Sequence, residues 1–422
     1  MILRARLVVP MDGPPIENGA VAIRHGRIVA TCPFAAVGAD AGGPVEDLGE
    51  VVLLPGLVNA HCHLDYTGMA GTIAPPRSFP DWIKSILTVK SGWSDAEFEA
   101  SWRAGAAQLL ETGTTTVANI ETFPVGLAAR RAATPLRIHS FLELTGVRNR
   151  RDPETLVANA VQALAECRGQ RGAVGLSPHA PYSTMPELLS TAARVAREHG
   201  WRLTSHLAES QAEFDMFMYR RGPMFDWLHA QRPCDDCGQG SPVHQAAAHG
   251  LLGPDLVAVH VNYLWEDDPA LLADSGTSVA HCPRSHEYFR HQRFPFGQLA
   301  AAGVNLCLGT DSLASTRVDS GPRPTLSLFD DMAMLAARDA TLSPEAILAL
   351  STVNGARALG LENTIGALKA GAFADLVALP CPARERDVFD AIIHHRGAVR
   401  ASMIDGRWVW REGKAVGMDP VA

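Results

Sequence analysis

Between about residue 55 and residue 364 the chain repeats a two-part unit eight times. Each unit is a short β-branched or apolar run followed by an Ala/Leu-rich stretch of helical spacing. This βα rhythm belongs to a parallel sheet covered by helices, and eight units predict an α/β fold built on a (β/α)8 TIM barrel. Strands are predicted at 56–64, 113–121, 136–144, 172–180, 201–209, 256–264, 277–285 and 304–312. In the intervening segment "PELLSTAARVAREHG" (186–200), Leu188, Leu189, Ala192, Val195 and Ala196 recur at helical spacing and Gly200 is placed to end the helix.

A chain of 422 residues exceeds the roughly 250 that such a barrel needs. The surplus lies at both ends and has a different character. Residues 1–54 ("RLVVPMDGPPIENGAVAIRHGRIVATCPF") and 365–422 ("ADLVALP", "RASMIDGRWVWREGKAV") read as short alternating strands with Gly and Asp-Gly turns. Both are expected to be halves of one small β-sandwich, discontinuous in sequence, with the barrel of residues 55–364 inserted between them.

The charge balance narrows the partners. With 37 basic and 45 acidic residues the net charge is −8, which gives no general attraction to phosphate backbones or anionic lipid. A small-molecule substrate is expected, with neither nucleic acid nor membrane as partner. The opening "MILRARLVVPMDGPP" is broken by Arg6 and Pro10 and lacks a signal-peptide core, and no apolar run approaches a membrane span. Eight cysteines without regular spacing fit reduced thiols, so the expected compartment is the cytoplasm. Cys234 and Cys237 have zinc-knuckle spacing, but no second pair completes four ligands, and a plain surface loop is expected there.

In barrels of this kind the chemistry sits at the carboxyl ends of the strands. There this chain places His61 and His63 (strand one), His179 (four), His206 followed by Glu209 (five), His260 (six), His281 (seven) and Asp311 (eight). His139, His229, His244 and His395 read as ordinary. In "NAHCHL" side chains alternate, so His61 and His63 converge while Cys62 points away. His61, His63, His206 and Asp311 together offer three imidazoles and a carboxylate to one divalent ion, with a position left for water; Zn is preferred and Fe is the alternative. An ion so held brings the pKa of its water toward ~7, which predicts a hydrolytic site. Neither predicted strand three nor four carries a lysine that could bridge two ions, so one metal per chain is expected.

"LPGLVNAHCHL", "SHLAES", "AVHVNYL", "HCPRSH", "LGTDS" and "GALKAGAFADLVAL", in this order, resemble the amidohydrolase superfamily, in its mononuclear cytosine/adenosine deaminase and chlorohydrolase branch. The resemblance covers essentially the whole chain. It implies metal ligation by His61, His63, His206 and Asp311, proton transfer by Glu209 and Asp311, orientation of the attacking water by His260, and substrate contact by His179 and His281. "HLDYTG", "SFPDWIKSIL" and "HCPRSHEYF" are similar to aminodeoxyfutalosine deaminases of menaquinone biosynthesis, whose substrate carries a benzoate; Arg284 or Arg77 would supply the matching cation. His286 stands where branch members often have Asn. The resemblance also suggests a homodimer. Alternatives that share the metal core are deamination of S-adenosylhomocysteine or methylthioadenosine, of guanine or of cytosine, and triazine dechlorination. A catalytically dead scaffold is the non-enzyme alternative.

Overall fold

The structure, a computed structural model, describes residues 1–37, 43–147, 152–318, 323–381 and 387–416. Strands β1 (Ile2–Val8), β2 (Ile16–Arg24), β3 (Arg27–Pro33), β4 (Val45–Asp47) and β5 (Val51–Pro55) open the chain. The middle carries β6 (Leu57–Cys62), β7 (Thr114–Glu121), β8 (Arg137–Leu144), β9 (Gly172–Pro178), β10 (Arg202–Leu207), β11 (Leu256–His260), β12 (Ser278–His281) and β13 (Leu306–Leu308). The end carries β14 (Leu376–Pro380), β15 (Ala401–Ile404), β16 (Arg407–Arg411) and β17 (Lys414–Ala415).

Strands β6 to β13 lie side by side in sequence order as one parallel sheet, the barrel expected from the eight βα units. Its two edges meet where Cys62 bridges Asp311, and the N–H groups of Thr310 and Asp311 donate to the His61 carbonyl at 3.0 and 3.1 Å. Close approach there requires Gly309, since a Cβ at this position would sit 2.7 Å from the His61 backbone oxygen and Cβ. Asn59 ties the same seam: its side-chain amide donates to Thr310 Oγ1 at 2.8 Å while its oxygen accepts from the Thr310 N–H at 3.1 Å.

The terminal strands form one mixed nine-stranded sheet, joined by the antiparallel pairing of β5 with β14. These two strands are apolar on both faces because both are covered. Val51, Leu53, Leu376 and Ala378 pack with Leu3, Val21 and Met403 in the sheet's own core, whereas the alternate residues Val52, Leu54, Val377 and Leu379 join the large cluster around the barrel. An ion network fastens this sheet near the amino ends of the barrel strands. Arg137, first residue of β8, reaches Asp375 at 3.1 Å and Asp405 at 2.6 Å, and Arg171 meets Asp405 from the other side at 2.6 Å. Among the described residues no helix is long and apolar enough to cross a membrane.

Several strands are shorter at their carboxyl ends than the sequence suggests, for a reason that concerns the site. Ala208, His260, Val261 and Asp311 adopt positive φ of 48°, 73°, 51° and 55°. Such angles are strained for residues with a side chain, and they turn the backbone out of the sheet where polar groups must be aimed inward.

Candidate metal centre and active site

His61 and His63, on and just past β6, stand edge to face with ring centroids 4.8 Å apart, while Cys62 packs outward against Leu64 and Trp102. The His206 ring lies 4.9 Å from His61, and the His260 ring 5.4 Å from His206. Asp311 Oδ1 is 3.6 Å from His61 Nε2 and 3.7 Å from His63 Nε2. In three overlapping triads, His61–His206–His260, His61–His63–Asp311 and Glu209–His260–Asp311, the ligand atoms fall within 4.8 Å of one another.

These residues fit a cation on their own chemistry. Both ring nitrogens of His61, Nδ1 of His63 and Nε2 of His260 are buried without a hydrogen-bond partner. Each such atom costs about 1–3 kcal/mol unless something binds it. Burial, with His179 and His61 close by, holds the His206 imidazole down to about 3, so at neutral pH its ring offers a lone pair. Burial and the neighbouring His61 likewise push His63 well below the usual histidine range. Burial works against ionisation of Asp311, but the surrounding His61, His260 and His63 rings, with His61 Nε2 3.6 Å away, prevail, and the carboxyl stays well below its ordinary value. The His206 Nδ1–H donates to the His179 carbonyl at 2.9 Å, which fixes the tautomer and leaves Nε2 for a ligand bond.

Glu209 is buried, with Oε1 3.5 Å from His260 Nε2. Burial first, then the charges of Asp311 and Glu213, raise its carboxyl well above the usual range, the direction that suits a group which takes up and gives back a proton. The Glu209 segment is clamped on both sides. Glu213 takes hydrogen bonds from the N–H groups of Ala208 (3.1 Å) and Glu209 (2.8 Å), while the Asn262 amide donates to the Glu209 carbonyl at 2.9 Å.

A cavity of about 280 Å³ opens above this cluster. One wall is apolar, made by Trp82, Ile83, Ile86 and Leu87 of helix Phe79–Ser91 and by Trp227 and Leu228 of helix Pro223–Leu228. Lys90, Glu143, Thr145 and Gln231 supply polar groups, with the Lys90 ammonium 5.0 Å above the Tyr66 ring. Of the residues singled out from sequence, His63, His206, Glu209, His260, Asp311 and His179 all face this space, and His61 lies directly beneath.

Three others lie elsewhere. Arg284 is buried and committed: Nε reaches Asp331 at 2.9 Å and a terminal nitrogen the Thr325 carbonyl at 2.9 Å. Arg77 is exposed on the loop before helix Phe79–Ser91 and does not line the cavity. His281 stacks on Phe294 at 3.9 Å and faces a second cavity with His286 and His291. Cys234 and Cys237 lie in the turn segment between helices Pro223–Leu228 and Pro242–Ala248, as expected, but both side chains point inward and are buried in a cluster with Phe79, Met216 and Phe217. The apolar wall, Lys90, Glu143, Glu213 and Asn262 went unnoticed in the sequence. For Glu213 a signal existed, since Ser210–Glu213 is an S-x-x-E capping motif immediately after Glu209.

The sequence signature of the Amidohydrolase family matches residues 52–409. A 5-methylthioadenosine/S-adenosylhomocysteine deaminase of Nitratidesulfovibrio vulgaris is 31% identical over 437 residues, covering 98% of this chain and 92% of that one. A zinc-bound adenosine deaminase from Xanthomonas campestris superposes with a TM-score of 0.85 at 26% identity, covering 99% of this chain and 94% of that one. The aminofutalosine deaminase of Helicobacter pylori, with methylthio-coformycin bound, shares the fold at a TM-score of 0.85 and 18% identity, covering 97% and 100%. Fold, clustered ligands and sequence agree, and the chain belongs to the amidohydrolase family as a deaminase-type hydrolase.

Proposed function

We propose that the protein deaminates a 6-aminopurine nucleoside by hydrolysis, giving the 6-oxo nucleoside and ammonia, and that its preferred substrates are adenosines with an uncharged 5′ substituent such as a methylthio group. The observation that carries the reaction is the buried Glu209 carboxyl beside His260 and Asp311 at the floor of the cavity. His61, His63, His206 and Asp311 would hold one divalent ion, zinc by analogy with the Xanthomonas relative, and when bound it supplies an acidified water and charge stabilisation.

The remaining roles fall to side chains. Glu209 delivers a proton to the purine N1 as oxygen adds at C6, and receives one from the attacking water. His260, 3.5 Å from Glu209, orients that water, and Asp311 passes the last proton to the departing ammonia. One C–O bond forms, one C–N bond breaks, and no oxidant or reductant is needed. Each positioned transfer is worth about 10²–10⁴-fold.

The substrate preference rests on the cavity wall and the relatives. Trp82, Ile83, Ile86, Leu87, Trp227 and Leu228 suit an apolar or thioether group. The relative from N. vulgaris is named for 5-methylthioadenosine and S-adenosylhomocysteine. The aminodeoxyfutalosine reading loses its motive, because Arg284 is engaged by Asp331 and Arg77 does not line the cavity. A carboxylated tail would find one cation among the described lining residues, Lys90. The test is a panel of adenosine, 5′-methylthioadenosine, S-adenosylhomocysteine and 6-amino-6-deoxyfutalosine with the zinc-loaded enzyme, scored by the purine absorbance change and ammonia release. The highest kcat/KM is expected for 5′-methylthioadenosine. A higher value for 6-amino-6-deoxyfutalosine would restore the carboxylated substrate, and turnover of guanine or a chlorotriazine alone would overturn the nucleoside reading.

A further inference from the structure

Glu213 is a fully buried carboxyl group, its ionisation opposed by burial, and its surroundings are unusual. Among the described residues no lysine, arginine or histidine is paired with it. Its two oxygens are each taken by a main-chain N–H, Oε1 by Ala208 at 3.1 Å and Oε2 by Glu209 at 2.8 Å. A surface glutamate at this position of a capping motif would reach back to its own N-cap residue. Glu213 instead passes Ser210, whose hydroxyl accepts from the Glu213 N–H at 3.1 Å, and spans to the two preceding peptides.

Those peptides are held from the opposite side as well. The Ala208 carbonyl accepts from the Asn262 N–H at 3.0 Å and the Glu209 carbonyl from the Asn262 side-chain amide at 2.9 Å. The amide is itself oriented, since its oxygen accepts from His286 Nδ1–H at 3.0 Å. Between the clamps Ala208 sits at φ 48°, a conformation an alanine holds only when its surroundings impose it. The strained residue therefore separates the last residue of β10 from Glu209 and sets the direction in which the Glu209 side chain leaves the backbone.

We infer that Glu213, with Asn262 oriented by His286 as its counterpart, is the positioning residue of this enzyme: it touches no substrate but fixes the Glu209 carboxyl against His260 and Asp311. This rests on Glu209 being the proton carrier proposed above. Ordinary burial offers no explanation, because a buried acid without a cation, neutral or ionised, costs stability unless its hydrogen bonds do something the fold needs. Here all of them converge on one short segment.

The test uses the zinc-loaded enzyme and the best substrate of the panel. Glu213→Gln keeps the shape but turns one acceptor oxygen into a donor facing an N–H. The expected result is a fall in kcat of about 10- to 100-fold, the usual cost of losing a hydrogen-bond partner that orients a working side chain, with KM and zinc per chain unchanged. Added to Glu209→Gln, the same substitution should change nothing further, because the group it aims is gone; such non-additivity is the mark of residues that act as a unit. Should Glu213→Gln not fold, Asn262→Ala perturbs the same segment from its carbonyl side and is judged by the same two readouts. A normal kcat, a loss confined to KM or zinc, or a loss that multiplies that of Glu209→Gln overturns the positioning role. Normal turnover in Glu209→Gln alone would instead overturn the proton role of Glu209.

Discussion

The two ends of the barrel treat buried charge in opposite ways. Near the amino ends of the strands, Arg137, Asp375, Asp405 and Arg171 satisfy one another, and the Asp405 N–H adds a bond to Asp375 at 2.8 Å. At the carboxyl ends, His61, His63 and His260 are just as buried, yet ring nitrogens go unpartnered and the backbone around them is strained. The first arrangement is complete in the protein alone and joins the terminal sheet to the barrel. The second becomes complete only with a ligand. A buried polar group that is satisfied is architecture; one that is left open marks where function is attached.

The largest effect should come from the open end. His61→Ala or chelation of the metal is expected to abolish deamination, while circular dichroism and the denaturation midpoint of the metal-free protein change little. That protein already carries the His61 ring without partners, so removing the ring forfeits no hydrogen bond. A His61→Ala variant that fails to fold would show that this end, too, is architectural. One zinc per chain is expected in active protein, and a reproducible stoichiometry of two would break the single-ion reading.

The converse holds for the closed end. Arg137→Met leaves Asp375 buried without its cation, which should cost about 3–5 kcal/mol in the denaturant transition. Per folded molecule kcat should stay near the wild-type value, since the network lies at the opposite pole from Glu209. Loss of activity in molecules shown to be folded and zinc-loaded would mean that the two ends are coupled.

How the parts differ in legibility follows from the range of the interactions. The eight strands were visible because each βα unit repeats within its own segment, and the HxH pair because strand alternation is local. The ends of β10, β11 and β13 were not, since positive φ at Ala208, His260 and Asp311 is imposed by contacts made in the folded barrel. Arg284 looked available for substrate because its partner Asp331 lies 47 residues further along, on another helix. The apolar cavity wall is equally non-local, brought over the site by the packing of helices Phe79–Ser91 and Pro223–Leu228 against one another. The terminal strands read correctly as one unit, though they lie in a single mixed sheet bound on one face to the barrel.

A smaller effect should appear in the pH dependence of the metal-free protein. Burial lowers the imidazoles of His206, His179, His139 and His291 to about 3, against an ordinary value of 6.5. Between about 6.5 and 3 the unfolded chain therefore binds more protons than the native one at these groups, and stability falls as pH falls through this window. Asp65, Glu213 and Asp331 run the other way, their carboxyls raised by burial to about 7, 8 and 7, and burial raises Glu209 as well. These four stand against nine lowered imidazoles once His63, His260, His281, His286 and His395 are added. The denaturation midpoint should decline from pH 7 to pH 5. A flat or rising midpoint would show that the histidine cluster is not held neutral.

The smallest effect is expected from Arg77→Met. Arg77 is exposed, and its charge faces solvent outside the cavity, so the substitution should alter stability by no more than about 0.5 kcal/mol. Its influence on kcat/KM should stay within about a factor of two for adenosine, 5′-methylthioadenosine and 6-amino-6-deoxyfutalosine alike, the same interval expressed as a ratio. Arg284→Met sharpens the point. It strips Asp331 of its partner and should weaken the fold, yet leave the order of preference among these nucleosides unchanged in the molecules that remain folded. If either arginine instead recognised a carboxylate on the substrate, its removal would depress 6-amino-6-deoxyfutalosine selectively and spare adenosine. That selective loss would place a third kind of charge at the open end, one reserved for substrate rather than for metal, and would return the carboxylated nucleoside to first place.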